Sequence, residues 1–192
     1  MRFAVRTVAV VLLGTVALAG CHRGARSPEG AYLALEKAVK AGDGVAFFAV
    51  LDQETRWSID SVLSDERMMR TIIAAKYPEA EAQKELARLS AAEEPDAAHY
   101  FAHVDRDRQI LASYRPGIER ASGKVELVVG DDGGDLAVAV RGSGVALHFR
   151  RYRGRWGFSE LSGDWLLEKD RAAHAVKTVR ENAALYQKAE ER

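Results

Sequence analysis

Apolar positions along the chain follow three regimes. Val8 to Ala19 is a continuous run of apolar and small residues. From Ser27 to Tyr114 apolar side chains recur every three or four positions, the period of a helix buried along one face. From Gly123 to Phe158 they alternate with polar ones, the period of a strand buried on one side.

The helical regime is divided by capping signals. Ser27-Pro28-Glu29 supplies a side-chain acceptor, a proline suited to the first helical position and an acid in the first turn, and Tyr32, Leu35 and Val39 then share a face. Gly42 ends this helix, and Asp43 starts a short one rich in Phe47, Phe48, Val50 and Leu51. Asp52 precedes a third, in which Ile59, Val62, Leu63, Met69, Ile72 and Ile73 recur as far as Pro78. Two more are predicted over Glu79 to Leu89 and Ala97 to Tyr114, with Pro95-Asp96 and Pro116-Gly117 as boundaries.

In the alternating regime the apolar sets are Val125, Leu127 and Val129; Leu136, Val138 and Val140; Val145, Leu147 and Phe149; and Trp156 with Phe158. Turns are signalled by Gly130 to Asp135, Gly142-Ser143-Gly144 and Arg153-Gly154-Arg155. This predicts four strands, with Leu127, Val138, Leu147 and Phe158 facing the helices. Gly163-Asp164 is read as stopping the last strand and capping a final helix through Trp165, Ala172, Val176, Val179, Ala183 and Tyr186. The expected fold class is α+β: N-terminal helices packed on a four-stranded antiparallel meander, plus a C-terminal helix, in one domain over 27–192.

Two resemblances add to this reading. Ser27-Pro28-Glu29, the helix behind it, Gly42-Asp43, Phe47-Phe48, Leu51 and Thr55-Arg56 resemble the opening of small envelope proteins in the nuclear transport factor 2-like superfamily, and the Arg153-Gly154-Arg155-Trp156 turn is similar to theirs. The resemblance implies a curved sheet folded around a helix, a cone enclosing an apolar pocket. It implies no single activity, because that superfamily includes isomerases, dehydratases and pure binders. The stretch from Pro78 to Tyr114 and the C-terminal helix depart from its pattern.

The start of the chain has the layout of a secretory signal: Arg2 and Arg6 without an acid, then an apolar run of twelve residues, short of the roughly twenty needed to span a bilayer. The run closes on Leu18-Ala19-Gly20-Cys21, which resembles the lipobox of bacterial lipoproteins. That resemblance implies a signal peptide over 1–20, lipidation of Cys21 with palmitate-like chains, and a tether over 21–26 that holds the domain to an envelope membrane. His22, where Asp would favour retention, implies by the proteobacterial sorting rule the outer membrane, on its periplasmic side. Cys21 is the single cysteine, which excludes an intramolecular disulfide, so the fold must hold in an oxidising compartment without one.

Removal of 1–20 leaves 172 of 192 residues, enough for one core. Without Arg2 and Arg6, 26 basic side chains face 28 acidic ones, a net charge of −2 that gives no footprint for nucleic acid.

Few constellations carry chemistry. His99 and His103, one helical turn apart, form either a chelating pair completed by Asp96 or Asp107, or two half-exposed histidines beside acids; Tyr100 replaces the glutamate of the zinc-protease motif. Asp131, Asp132 and Asp135 are either calcium ligands or the residues that a hairpin turn requires. His148, Arg150, Arg151, Arg153 and Arg155, with Tyr152 and Trp156, form either a rim for anionic headgroups or polyanions, or a charged hairpin end protecting a strand edge. Ser58, Ser61 and Ser64 have no glycine-flanked elbow, and no glycine-rich loop follows a strand to cradle phosphate. No catalytic residue, metal or cofactor is therefore assigned. The expected function is a non-enzymatic envelope lipoprotein binding a small apolar ligand or a protein partner. The alternative is a hydrolase or isomerase whose acid-base residues are dispersed around a cone-shaped pocket.

Overall fold

The computed structural model describes residues 25–120, 125–129, 135–140 and 146–191, with 125–129 and 135–140 described by their backbone. The signal segment, Cys21 and the Asp131, Asp132 and Asp135 loop side chains lie outside the described residues, as do the side chains of Leu127 and Val138.

Local capping chemistry sets the first three helices. In α1 (Pro28–Ala41) the Ser27 hydroxyl accepts from the Gly30 amide at 3.1 Å, and Gly42 closes the helix in the left-handed conformation at φ 64°. Asp43 caps α2 (Gly44–Val50) through the Ala46 amide at 2.9 Å, and Asp52 caps α3 (Gln53–Lys76) through the Thr55 amide at 2.8 Å. Next come α4 (Glu79–Arg88) and a 3₁₀ turn (Ser90–Glu93).

The helix expected from Ala97 to Tyr114 is two helices, α5 (Ala97–Arg108) and α6 (Ile110–Arg120). Gln109 takes a left-handed conformation at φ 56° and breaks the chain direction, while the Asp105 carboxylate reaches past it to accept from the Leu111 amide at 2.7 Å. Pro116 lies within α6 and does not end it. Leu111 and Ile118, two turns apart, are both buried, and this shared burial carries the helix past a residue with no N–H.

Four backbone strands, β1 (Val125–Val129), β2 (Asp135–Val140), β3 (Ala146–Tyr152) and β4 (Arg155–Phe158), pair antiparallel in chain order. The turn from β3 to β4 is Arg153-Gly154, with φ of 48° and 75°, the two consecutive positive values that let a two-residue loop follow the strand twist. A long helix, α7 (Ser162–Glu190), completes the chain. It begins before Gly163-Asp164, so Asp164 is an acid in its first turn and not its cap.

The α+β layer expectation is overturned. Helix dominates the described residues, and the most extensive packing is helix on helix, α3 against α7, with the antiparallel pair β3 and β4 packed at the edge of a largely helical core. Leu147 and Phe158 are buried there, as is Phe149 opposite Phe158. The reason lies in what the helices can bury by themselves: α1, α2, α3, α5 and α6 supply most of the main cluster, and Phe47 anchors it. Its ring lies 5.6 Å from Phe101, 5.8 Å from Phe158 and 6.1 Å from Tyr114. A second, smaller cluster of Met69, Ile73, Ala82 and Val176 holds the far ends of α3 and α7 together with α4.

Strand β4 is covered on its outer side by chain from the N-terminal half. The Trp156 amide donates to the Ala25 carbonyl at 2.8 Å, and the Asp52 amide donates to the Phe158 carbonyl at 2.9 Å. Between these contacts Gly157 lets the start of α3 approach β4: a Cβ there would fall 2.5 Å from the Asp52 Cα.

Candidate ligand-binding sites

The first site is a cleft between α1 and α2, lined also by Trp156 of β4. Ala31, Ala34, Ala38 and Ala41 on α1 face Ala46 and Ala49 on α2, and Ala25 completes a set of seven alanines. Their spacing of three and four along α1 puts them on one side of the helix. Side chains this short do not fill the angle between two helices, so a trough of about 400 Å³ remains. Lys37 and Asp43 are the charged residues in its lining.

The second site is polar and lies where the start of α3 meets the β3–β4 hairpin. Asp52 is 3% exposed. Its Oδ1 is used in capping α3, while its Oδ2 has no hydrogen-bond partner among the described residues and lies 3.7 Å from Arg150 Nη1. Arg150 also pairs with Glu54. Arg56 donates to the Gln53 side chain at 2.9 Å, yet its buried Nε finds no partner among the described residues; burial lowers its pKa, opposed by Asp52. Trp57 and Tyr152 meet edge to face at 5.6 Å, and the Arg153 guanidinium stands 5.3 Å above the Tyr152 ring. Two hollows of about 410 and 400 Å³ are both lined by this aromatic pair. Asp52, Gln53, Trp57, Arg150 and Tyr152 line both.

The arginine rim read from the sequence is therefore divided. Arg150, Arg153 and Arg155 line the polar site, whereas Arg151 falls on the opposite face of β3 and lines neither hollow. His148 faces Glu160, to which both its backbone amide and its ring are bonded. Asp52, Trp57 and Arg56, central to the site, carried no functional reading in the sequence. Asp52 reads there as a helix cap, and nothing in the neighbouring residues says that its second oxygen is buried.

His99 and His103 do not converge. His99 Nδ1 is 2.8 Å from Asp96, and His103 Nδ1 is 3.0 Å from Glu94. Asp107, offered as a third ligand, is not joined to them, and no group of three metal-ligating side chains occurs among the described residues. One titratable pair was not foreseen: the buried Tyr100 is hydrogen-bonded to the half-buried Glu66, and loss of solvent raises the pKa of both. The pair lines neither the cleft nor the hollows beside Asp52. Among the described residues no helix is long and apolar enough to cross a membrane. No protein-family model, curated protein sequence or solved structure matches the chain.

Proposed function

We infer that this is a lipid-anchored protein of the cell envelope, non-enzymatic, whose alanine-lined cleft takes a small apolar ligand. The cleft carries this reading. Its volume of about 400 Å³ falls at the lower end of the roughly 300–1,000 Å³ usual for small-molecule sites, and its walls are mainly apolar with Lys37 and Asp43 as the charged groups. Such a shape suits a narrow aliphatic chain with a polar head. Burial of the chain is the driving force, at about 0.8 kcal/mol per methylene. Ala25 lines the cleft and follows Cys21 by four residues, a reach of at most about 14 Å. Lipidation at Cys21 therefore holds the mouth of the cleft beside the membrane surface, where a ligand of this kind is most concentrated. The anchor is the membrane partner in this reading, and no nucleic acid is involved.

The test titrates dodecanoate into the purified full chain and follows tryptophan fluorescence and thermal stability. Saturable binding is expected, weakened about tenfold or more when Ala34→Phe fills the trough, a loss of roughly 1.4 kcal/mol. Absence of binding, or equal binding by the filled variant, overturns the cleft assignment. Anchoring is tested separately: labelled palmitate should enter the wild type and not Cys21→Ser, and equal labelling of both would refute it.

A further inference from the structure

We propose that the polar site beside Asp52 binds an acidic saccharide chain, independently of the cleft between α1 and α2. Three features of different chemistry meet there. The first is the Asp52 carboxylate, 3% exposed, with an Oδ2 that accepts no hydrogen bond among the described residues. A buried acceptor without a donor is costly, and a ligand that brings one recovers that cost. Arg150 at 3.7 Å neutralises its charge without satisfying it, so the missing partner is a neutral donor such as a hydroxyl.

The second feature is aromatic. Trp57 is 55% exposed and Tyr152 is 38% exposed, and they meet edge to face and line the same hollows as Asp52. Exposed indole and phenol rings held in a fixed mutual orientation present flat apolar surface with little flexibility to lose. The C–H face of a pyranose ring matches that surface, while its hydroxyls remain free to reach Asp52 and Gln53.

The third is charge. Arg56, Arg150, Arg153 and Arg155 line one hollow, and Arg150 and Lys169 line the other. Against them stand Asp52 and Glu54. The surplus is cationic in a molecule that is otherwise close to neutral, and a planar guanidinium suits a carboxylate on the sugar. The two hollows share five residues, the aromatic pair among them, which fits successive units of a chain better than a single sugar. The floor is rigid, because the Asp52 amide is bonded to Phe158 and Gly157 brings the two backbones into contact.

The test uses the purified full chain and tetragalacturonate as probe, with binding followed by calorimetry and tryptophan fluorescence. Saturable binding is expected, at least about tenfold stronger than for the neutral tetramer maltotetraose, and weakening as salt is raised from about 0.05 to 0.5 M. Trp57→Ala should weaken it about tenfold, as should the double change Arg153→Gln with Arg155→Gln. Asp52→Asn, which keeps a capping side chain on α3, should weaken it with an unchanged melting temperature. Ala34→Phe, on the cleft, should bind tetragalacturonate as the wild type does. The proposal is overturned if tetragalacturonate does not bind, if maltotetraose binds equally well, or if the arginine and tryptophan variants bind normally. It is overturned equally if inorganic phosphate competes as strongly as the sugar chain, or if phosphatidylglycerol vesicles bind through these arginines while tetragalacturonate does not.

Discussion

Glu66 shows how a single side chain takes its properties from its surroundings. Its half-buried carboxyl is hydrogen-bonded to the buried Tyr100 hydroxyl, and partial burial raises its pKa although Tyr100 and Arg108 pull the other way. The native state thus favours the protonated form of Glu66 more than the unfolded chain does. Its contribution to stability is complete below the ordinary carboxylate range, and it is lost as pH rises through the raised native pKa. Glu66→Gln keeps an amide in place of the acid without the charge. It is expected to equal or exceed the wild type in stability at pH 7, with the advantage vanishing near pH 4, as measured by urea denaturation at several pH values. An advantage that grows toward acid pH would contradict this account.

At the scale of elements, the junction between α3 and β4 positions the polar site. Gly157 is buried between them, and a methyl group on it would lie 2.5 Å from the Asp52 Cα and 2.8 Å from the Leu51 carbonyl oxygen. Both neighbours are backbone, so no rotamer change relieves the clash. Gly157→Ala is expected to cost at least about 1–3 kcal/mol and to lower affinity for tetragalacturonate, because it moves Asp52 away from Arg150. Chemical denaturation and calorimetry on the same preparation check both effects. The elements themselves were legible from the sequence where their signals are local. Ser27, Asp43, Asp52 and Asp96 each accept from an amide three positions ahead, so a cap is visible within four residues. The break at Gln109 was not legible, since glutamine rarely adopts a left-handed conformation and what holds it there is Asp105 bonded across the break to Leu111.

For the whole molecule, stability depends on Phe47, from the short helix α2, whose ring touches Phe101 of α5, Tyr114 of α6 and Phe158 of β4. Phe47→Ala is expected to lose about 3–5 kcal/mol, with the unfolding transition shifted to lower denaturant and its slope retained. A loss below about 1 kcal/mol would place the core elsewhere.

What the sequence determined by itself is what nearest neighbours determine: caps, helical faces, the Arg153-Gly154 turn, and the inward phase of Leu147 and Phe158. These depend on hydrogen bonds and side-chain periods within a few residues. The tertiary structure alone decided which surfaces meet. The apolar faces of α3 and α7 pack on each other, across most of the chain, in place of a helix layer spread over a sheet. Apolar burial has no direction, so a hydrophobic face specifies that it will be covered and not by what. The same reason hid both sites. The alanines of α1 and α2 read as good helix formers until the two helices leave a trough between them. Asp52 and Arg150, 98 positions apart, become one site only when the chain closes the start of α3 onto β4.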